Sequence, residues 1–449
     1  MISFNPFRRS RLIRNGISRA CTISVDASLP TETDIVIVGG GIAGITCAIH
    51  LADHGQRVTV CEKGHIAGEQ SSRAFGWVSS LLDEKDRLSL SLEGKQLWET
   101  YERKFEVDLT FRRNGALFLS YSEEQISEFK RWIEEARHVG HVDAKILYGE
   151  KLFKYLPEAR DTGAIAGLYQ ASDGCVEPIV AVPLLANAAR RAGVTILEQC
   201  AVQGIETSGG NVSHIITEQG TIRAPVVVVA GGIWSRLFMR FIGVSLPQLP
   251  VYGSLCRTAP MACNLPGTGS TGTFGWRRHI DGSYSFGQNK VTHSVIPDSF
   301  SLLRHFLPSF SASRDSVSLD FDRDFLDHTF ASWKRSTDGQ SPFERARTLI
   351  GRPDMSQIDE VIHDLRNTFP SFADVKIVES WGGVIDVTPD RLPIISAIDA
   401  INGLYACTGF SAHGLVMAPA AGKLLAESIV GKIGAHALDP YSIKRFSRA

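Results

Sequence analysis

Six consecutive residues, Gly39-Gly40-Gly41-Ile42-Ala43-Gly44, carry the spacing G-x-G-x-x-G. The chemistry they suit is holding a dinucleotide by its pyrophosphate. Gly39 permits a tight turn, Gly41 lets the backbone approach the phosphates with no Cβ between, and Gly44 allows close helix–strand packing. An acid follows at Glu62, 18 residues after Gly44. A carboxylate there accepts both hydroxyls of an adenosine ribose and repels a 2′-phosphate, which points to FAD or NAD rather than NADP.

The elements around these residues agree with that chemistry. Asp34-Ile35-Val36-Ile37-Val38 is a continuous β-branched run, the pattern of a strand buried on both faces of a parallel sheet. Apolar residues at helical spacing from Ile42 to His54 end at Gly55, and Arg57 to Cys61 is strand-like again, which completes a βαβ unit. The glycine loop therefore sits between a buried strand and a helix N-terminus, where free N–H groups and the helix dipole favour phosphate. Further pieces of the same sheet are expected at Val182 to Arg191 (helix), Val194 to Leu197 (strand) and Thr221 to Ala230 (strand). Between them, 86–174 and 245–370 have weaker periodicity and many aromatics, and Phe274 to Phe286 alternates like a hairpin around Asp281-Gly282. The expected class is α/β: a Rossmann-like dinucleotide-binding domain of 32–85, 175–244 and 371–449, with an inserted α+β substrate domain of 86–174 and 245–370 carrying an antiparallel sheet.

Composition narrows the alternatives. The 449 residues leave room for two or three domains, and 47 basic against 48 acidic residues give a net charge of -1, so no overall field draws the chain to nucleic acid. Apolar runs such as Val226 to Ala230 have strand length and are too short for a membrane helix. The eight cysteines form no C-x-x-C pair, which suggests neither a zinc site nor a disulfide framework. Residues 1–31 stand apart: five arginines precede the first acid, Asp26, and the stretch is expected to be a disordered leader. That expectation places the chain in the cytoplasm, or in the mitochondrial matrix if the leader is a transit peptide.

Five further stretches carry a resemblance: Ser71-Ser72-Arg73 with Gly76; Asp173-Gly174-Cys175-Val176-Glu177-Pro178; Ala230-Gly231-Gly232-Ile233-Trp234-Ser235; Trp381-Gly382-Gly383 with Thr388-Pro389-Asp390; and Gly409-Phe410-Ser411-Ala412-His413-Gly414. With them the chain resembles the D-amino-acid oxidase, glycine oxidase and sarcosine oxidase family of flavoproteins along nearly all of 32–432. The resemblance implies FAD as the dinucleotide, and oxidation of a carbon–nitrogen bond by hydride transfer from the α-carbon to flavin N5, the imine then hydrolysing. Lys63 follows the ribose acid and joins the implied cofactor contacts. Ser71, Ser72, Arg73, Gly76 and Trp77 are implied to line the path from pyrophosphate to flavin ring, Val202 to face the adenine, and Ala230, Gly231 and Trp234 to leave room beside the cofactor. Gly414, Leu415 and Val416 are implied to begin a helix whose N–H groups face the flavin N1–C2=O edge, where reduction leaves negative charge.

The substrate side departs from the family pattern. Ile385 stands where many relatives carry a carboxylate-binding Arg, and Leu415 follows Gly414 where sarcosine-oxidase relatives place a Lys. Arg73, Arg277 and Arg278 are candidate replacements, Asp386 is a candidate partner for a cationic amine, Tyr252 and Tyr284 are candidate ligands on the substrate sheet, and His413 is the candidate catalytic residue. The covalent-cysteine position falls near Gly383, so the FAD is expected to be non-covalent. The oxygen-activating Lys is replaced near Ser285, which leaves O2 or another electron acceptor open, as is the oligomeric state. Three readings stand: a FAD enzyme acting on a secondary amine, opine-like compound, imino acid or D-amino acid; a redox-inert FAD-containing binding or assembly subunit; and an NAD-dependent dehydrogenase.

Overall fold

The structure, a computed structural model, describes residues 26, 28–263, 265–312, 316–320, 339–349 and 351–447. A six-stranded sheet forms its first layer. Its elements in chain order are β1 (Ile35–Val38), α1 (Ile42–Asp53), β2 (Val58–Cys61), α2 (Lys85–Phe105), α3 (Pro178–Arg191), β3 (Thr195–Leu197), β4 (Val226–Val229), β5 (Ile394–Ala397), β6 (Leu404–Thr408) and α4 (Gly414–Ile429). The strand order is β5-β6-β4-β1-β2-β3, parallel except for the edge strand β5. Ile35, Val36 and Ile37 are fully buried because helices cover one face and a three-stranded antiparallel sheet, 202–223, covers the other. Each such side chain contributes roughly 1.5–3 kcal/mol of burial.

Helix α1 packs along α4 with almost no gap. The Thr46 hydroxyl donates to Ile42 O at 2.8 Å and to Ala418 O at 3.0 Å, and a Cβ at Gly422 would stand 2.6 Å from Cys47 N. The helix stops at Gly55, whose φ of +78° suits glycine.

The second layer is a ten-stranded, mostly antiparallel sheet containing the expected hairpin, with Phe274–Arg278 paired to Tyr284–Gln288. Aromatic side chains fill its far face: Phe274, Trp276, Tyr284, Phe286, Phe369 and Phe372 are all fully buried.

Four expectations are corrected. Thr221 to Ala230 is not one strand: Gly220–Arg223 joins the three-stranded sheet and β4 begins only after Pro225, which has no N–H to donate. The boundary at 86 falls inside α2, which belongs with the dinucleotide-binding layer; its Trp98 Nε1 donates to Leu415 O at 2.7 Å. The boundary at 371 is displaced as well, because Ile377–Val387 pairs with Leu249–Thr258 in the large sheet. The leader ends earlier than 31, since Asp26 N–H donates to Ile196 O and Arg223 N–H to Thr31 O; residues 1–25 lie outside the described residues.

Candidate cofactor and substrate cavity

A cavity of about 1860 Å³, its open mouth included, lies between the two layers. It runs across the carboxyl ends of four parallel strands, touching Val38 and Gly39 at the end of β1, Cys61 and Glu62 at the end of β2, Val229 and Ala230 at the end of β4, and Cys407 and Thr408 of β6. Ligands of open α/β sheets bind at such a crest.

Two helix N-termini open onto this space. Gly41, Ile42 and Ala43 of the first and Gly414 and Leu415 of the second are on its wall, so N–H groups that lack intrahelical acceptors face it. Ser71 Oγ accepts the Ile42 N–H at 3.0 Å, which ties the path residue to the phosphate turn. Gly39 has φ +112°, and a Cβ there would stand 2.6 Å from Ala230 O, so only glycine fits. At Gly231 nothing lies within 3.6 Å of an added Cβ, which leaves room for a ligand on that side.

Glu62 is held in place by backbone. Its two carboxylate oxygens accept the N–H groups of Gly40 (2.8 Å) and Gly64 (2.7 Å); burial pushes its pKa up, and these two donors oppose the shift. Lys63 Nζ binds Glu69 Oε1 at 2.6 Å and Ala346 O at 2.7 Å and lies 4.3 Å from the Trp234 ring centroid. Val202, Ala230, Gly231, Trp234 and Gly383 also lie on the wall. Other expected contacts stand behind it. Gly44 packs on the Gly39 carbonyl, Ser72 Oγ donates to Glu69 O, Gly76 packs over Arg277, Trp77 Nε1 donates to Trp276 O, and Val416 O meets Gly94.

The helix N-termini, the Glu62 carboxylate and the glycine cradle are of the chemistry that would suit the diphosphate, ribose and ring edge of a flavin dinucleotide.

Substrate candidates separate into two groups. Arg73 and Asp386 are on the wall. Arg73 Nη1 donates to Gly68 O and Ser72 Oγ, its Nε and Nη2 meet no acceptor among the described residues, and burial lowers its pKa against the charges of Glu69 and Glu379. Asp386 is not set to receive a cation as expected: Oδ1 accepts from Gln70, and Oδ2 from Gln248, Thr408 and the Gly409 N–H. Burial raises its pKa.

Arg277, Tyr252 and Tyr284 are not on the wall. Arg277 forms a buried cluster with Glu177 (3.0 Å), which also accepts from His279 at 2.8 Å, and His279 in turn meets Ser285 Oγ at 2.6 Å. Burial alone would raise Glu177, but His279 and the Arg277 charge bring it to about 2; burial and Arg277 bring His279 to about 4. The cluster is therefore one carboxylate, one guanidinium and a neutral imidazole. Arg278 beside it is exposed. The Tyr284 hydroxyl donates to Cys263 O at 2.9 Å inside the aromatic core. Tyr252 pairs in register with Val384 and Thr292, beside the wall residues Gly253 and Ser254. His413 also stands off the wall, at the N-cap of α4, with Nδ1 2.8 Å from Ser411 O and Nε2 3.8 Å from Asp83. Burial, with Arg87 second, lowers it to about 3, so the ring is neutral.

Sequence reasoning missed Glu69 and Gln70, which bind Lys63, Trp234, Asp386 and the Ile233 N–H. Their signal was adjacency to the Ser71-Ser72-Arg73 motif. It also missed the Gln288 to Val291 turn on the opposite wall, which carries no spacing signature.

Comparison with known proteins identifies the family. A family model described as "DAO: FAD dependent oxidoreductase" matches residues 34–428. The chain is 26% identical over 421 residues to sarcosine oxidase subunit beta of Arthrobacter sp, covering 92% of this chain and 91% of that one. It is 24% identical over 411 residues to mitochondrial dimethylglycine dehydrogenase of Rattus norvegicus, covering 89% of this chain but only 43% of the relative. The chain thus spans under half the length of that curated relative. A solved structure of L-amino acid deaminase from Proteus myxofaciens in complex with anthranilate superposes with TM-score 0.90 at 35% identity, covering 95% of this chain and 96% of the other. The chain belongs to the DAO family of FAD dependent oxidoreductases.

Proposed function

From that membership we propose that the chain binds FAD non-covalently in the cavity and oxidises the C–N bond of an α-amino acid, with an L-amino acid as the first class to test. The observation that carries this reading is the joint one: two helix N-termini, Glu62 and the glycine cradle on one wall, the large sheet opposite, and 35% identity across 95% of the chain to a protein named L-amino acid deaminase. When bound, FAD supplies the acceptor for the α-hydride and its electron pair.

The chain's own residues do the rest. Helix α1 and Glu62 hold the diphosphate and ribose, and the first turn of α4 offers N–H groups to developing negative charge. Arg73, with Nε and Nη2 uncommitted, holds the substrate carboxylate and so replaces the clamp lost at Ile385. The apolar stretch of wall formed by Leu255, Val291 and Val384 keeps water from the reacting carbon. Asp386 positions the wall and does not touch substrate.

An anaerobic titration tests this. Purified protein is expected to be yellow and to bleach with a carboxylate-bearing amino acid, colour returning when oxygen or an artificial acceptor is added. Bleaching by dithionite but by no amino acid or amine would favour the redox-inert subunit, and a colourless protein would overturn the cofactor assignment.

A further inference from the structure

Residues 341–349 lie against the end of the cavity where the ribose acid stands. Their local shape follows from sequence: Ser341 Oγ accepts the Glu344 N–H at 3.3 Å, the Glu344 carboxylate accepts the Ser341 N–H at 2.6 Å, and Pro342 opens the short helix Pro342–Arg345. That turn delivers Phe343 to the cavity wall, 4% exposed, with its ring centroid 6.0 Å from Trp234 and 5.9 Å from both Phe238 and Phe241. Beyond the segment, Gly351 pairs with Gly382 of the large sheet, so this stretch reaches from one layer to the other.

Its polar ties end beside the residues that would hold an adenosine. Gln203, next to Val202, donates to Glu344 at 3.0 Å. Lys63, next to Glu62, donates to Ala346 O at 2.7 Å and Arg347 O at 3.1 Å, while Arg347 Nη1 returns a bond to Lys63 O at 2.8 Å. Arg347 also pairs through two nitrogens with both oxygens of Glu218, which accepts the Ala201 N–H at 2.6 Å. Leu349 N–H donates to Glu69 at 2.7 Å, and the other Glu69 oxygen accepts Trp234 Nε1 at 2.8 Å. Gly64 has no room for a Cβ beneath Arg347 O, so the contact is close. One buried ring and a few polar ties hold far less than a sheet does, and Gly339 at φ +82° supplies a bend on the near side.

We propose that 341–349 is a strap that completes the adenosine site and must lift for FAD to enter or leave. The proposal rests on the FAD reading above. A strap of this kind sets a barrier and leaves the bound state nearly unchanged, so weakening it speeds uptake and release together. A segment that merely touches the cofactor would, when weakened, speed release alone.

The test uses Arg347→Ala and Glu218→Gln in the full chain, the second keeping an oxygen for the Ala201 N–H. Release is read from the rise in flavin fluorescence on dilution of FAD-loaded protein, and uptake from its fall when deflavinated protein meets FAD. Both rates are expected to rise roughly tenfold in R347A, their ratio held within about threefold, and to rise by a smaller factor in E218Q. Rates equal to wild type, or faster release with unchanged uptake, would overturn the proposal. Amide hydrogen exchange of the deflavinated chain reads the strap without cofactor: R347A is expected to exchange roughly tenfold faster at 341–349 and unchanged at β1. A wild type that takes up no FAD would fail the cofactor reading, whereas unchanged exchange at 341–349 in R347A would overturn the strap whether or not FAD binds.

Discussion

The two walls of the cavity recognise by different means. The wall built on the parallel sheet works through backbone: glycine turns, helix N-termini and a carboxylate gripped by two amide N–H groups. The opposite wall works through side chains and turns of a sheet whose strands come from distant parts of the chain. Backbone recognition demands residues at fixed short spacing, because glycine must stand wherever a Cβ would collide. Side-chain recognition makes no such demand, and many residues satisfy it.

Four perturbations test that contrast. The largest effect is expected behind the substrate wall. Glu177→Ala leaves Arg277 buried and unpaired and is expected to cost about 3–5 kcal/mol in urea unfolding; a loss under about 1 kcal/mol would show that the cluster is dispensable. On the backbone wall, Gly39→Ala collides with Ala230 O and strains φ, for about 2–4 kcal/mol and at least a tenfold loss of flavin retention, read from the visible absorbance per protein.

A pH experiment probes the layer behind α4. Asp83 faces Arg87, Ser91, His413 and, more distantly, Asp173 and Lys95; burial raises it to about 6. Because the folded value lies above the ordinary 3.8, its stabilising share is complete below that pH and is lost as pH rises through 6. Wild type should therefore lose roughly 2–3 kcal/mol relative to D83N between pH 4 and 7, with urea midpoints as the readout. The smallest effect is at the substrate itself: Arg73→Lys is expected to raise KM for an amino acid roughly tenfold with flavin content unchanged. Equal KM values for wild type and R73K would move the carboxylate elsewhere.

The same contrast explains what was legible in the sequence. The strand Ile35–Val38, the glycine turn, Glu62 and the helix from Gly414 all announce themselves through local pattern, and each stands on the cavity. Arg277 and Tyr284 looked available because a strand sequence does not say which face its neighbours cover. One is enclosed by Glu177 and His279, the other by an aromatic core formed with Phe286 and Phe372. The stretch from 86 was assigned to the substrate layer for a related reason: weak periodicity and aromatic content do not say which layer a segment packs against, and its helix Lys85–Phe105 packs on α4. The role of Gln248 was invisible, since its partners lie at 386 and 408.

Asp386 collects donors from residues 70, 248, 408 and 409, stretches that begin far apart along the chain. Until all of them arrive, a carboxylate leaving water has incomplete compensation, so half-assembled states are penalised while the complete one is not. A single side chain thereby couples the burial of stretches from both layers.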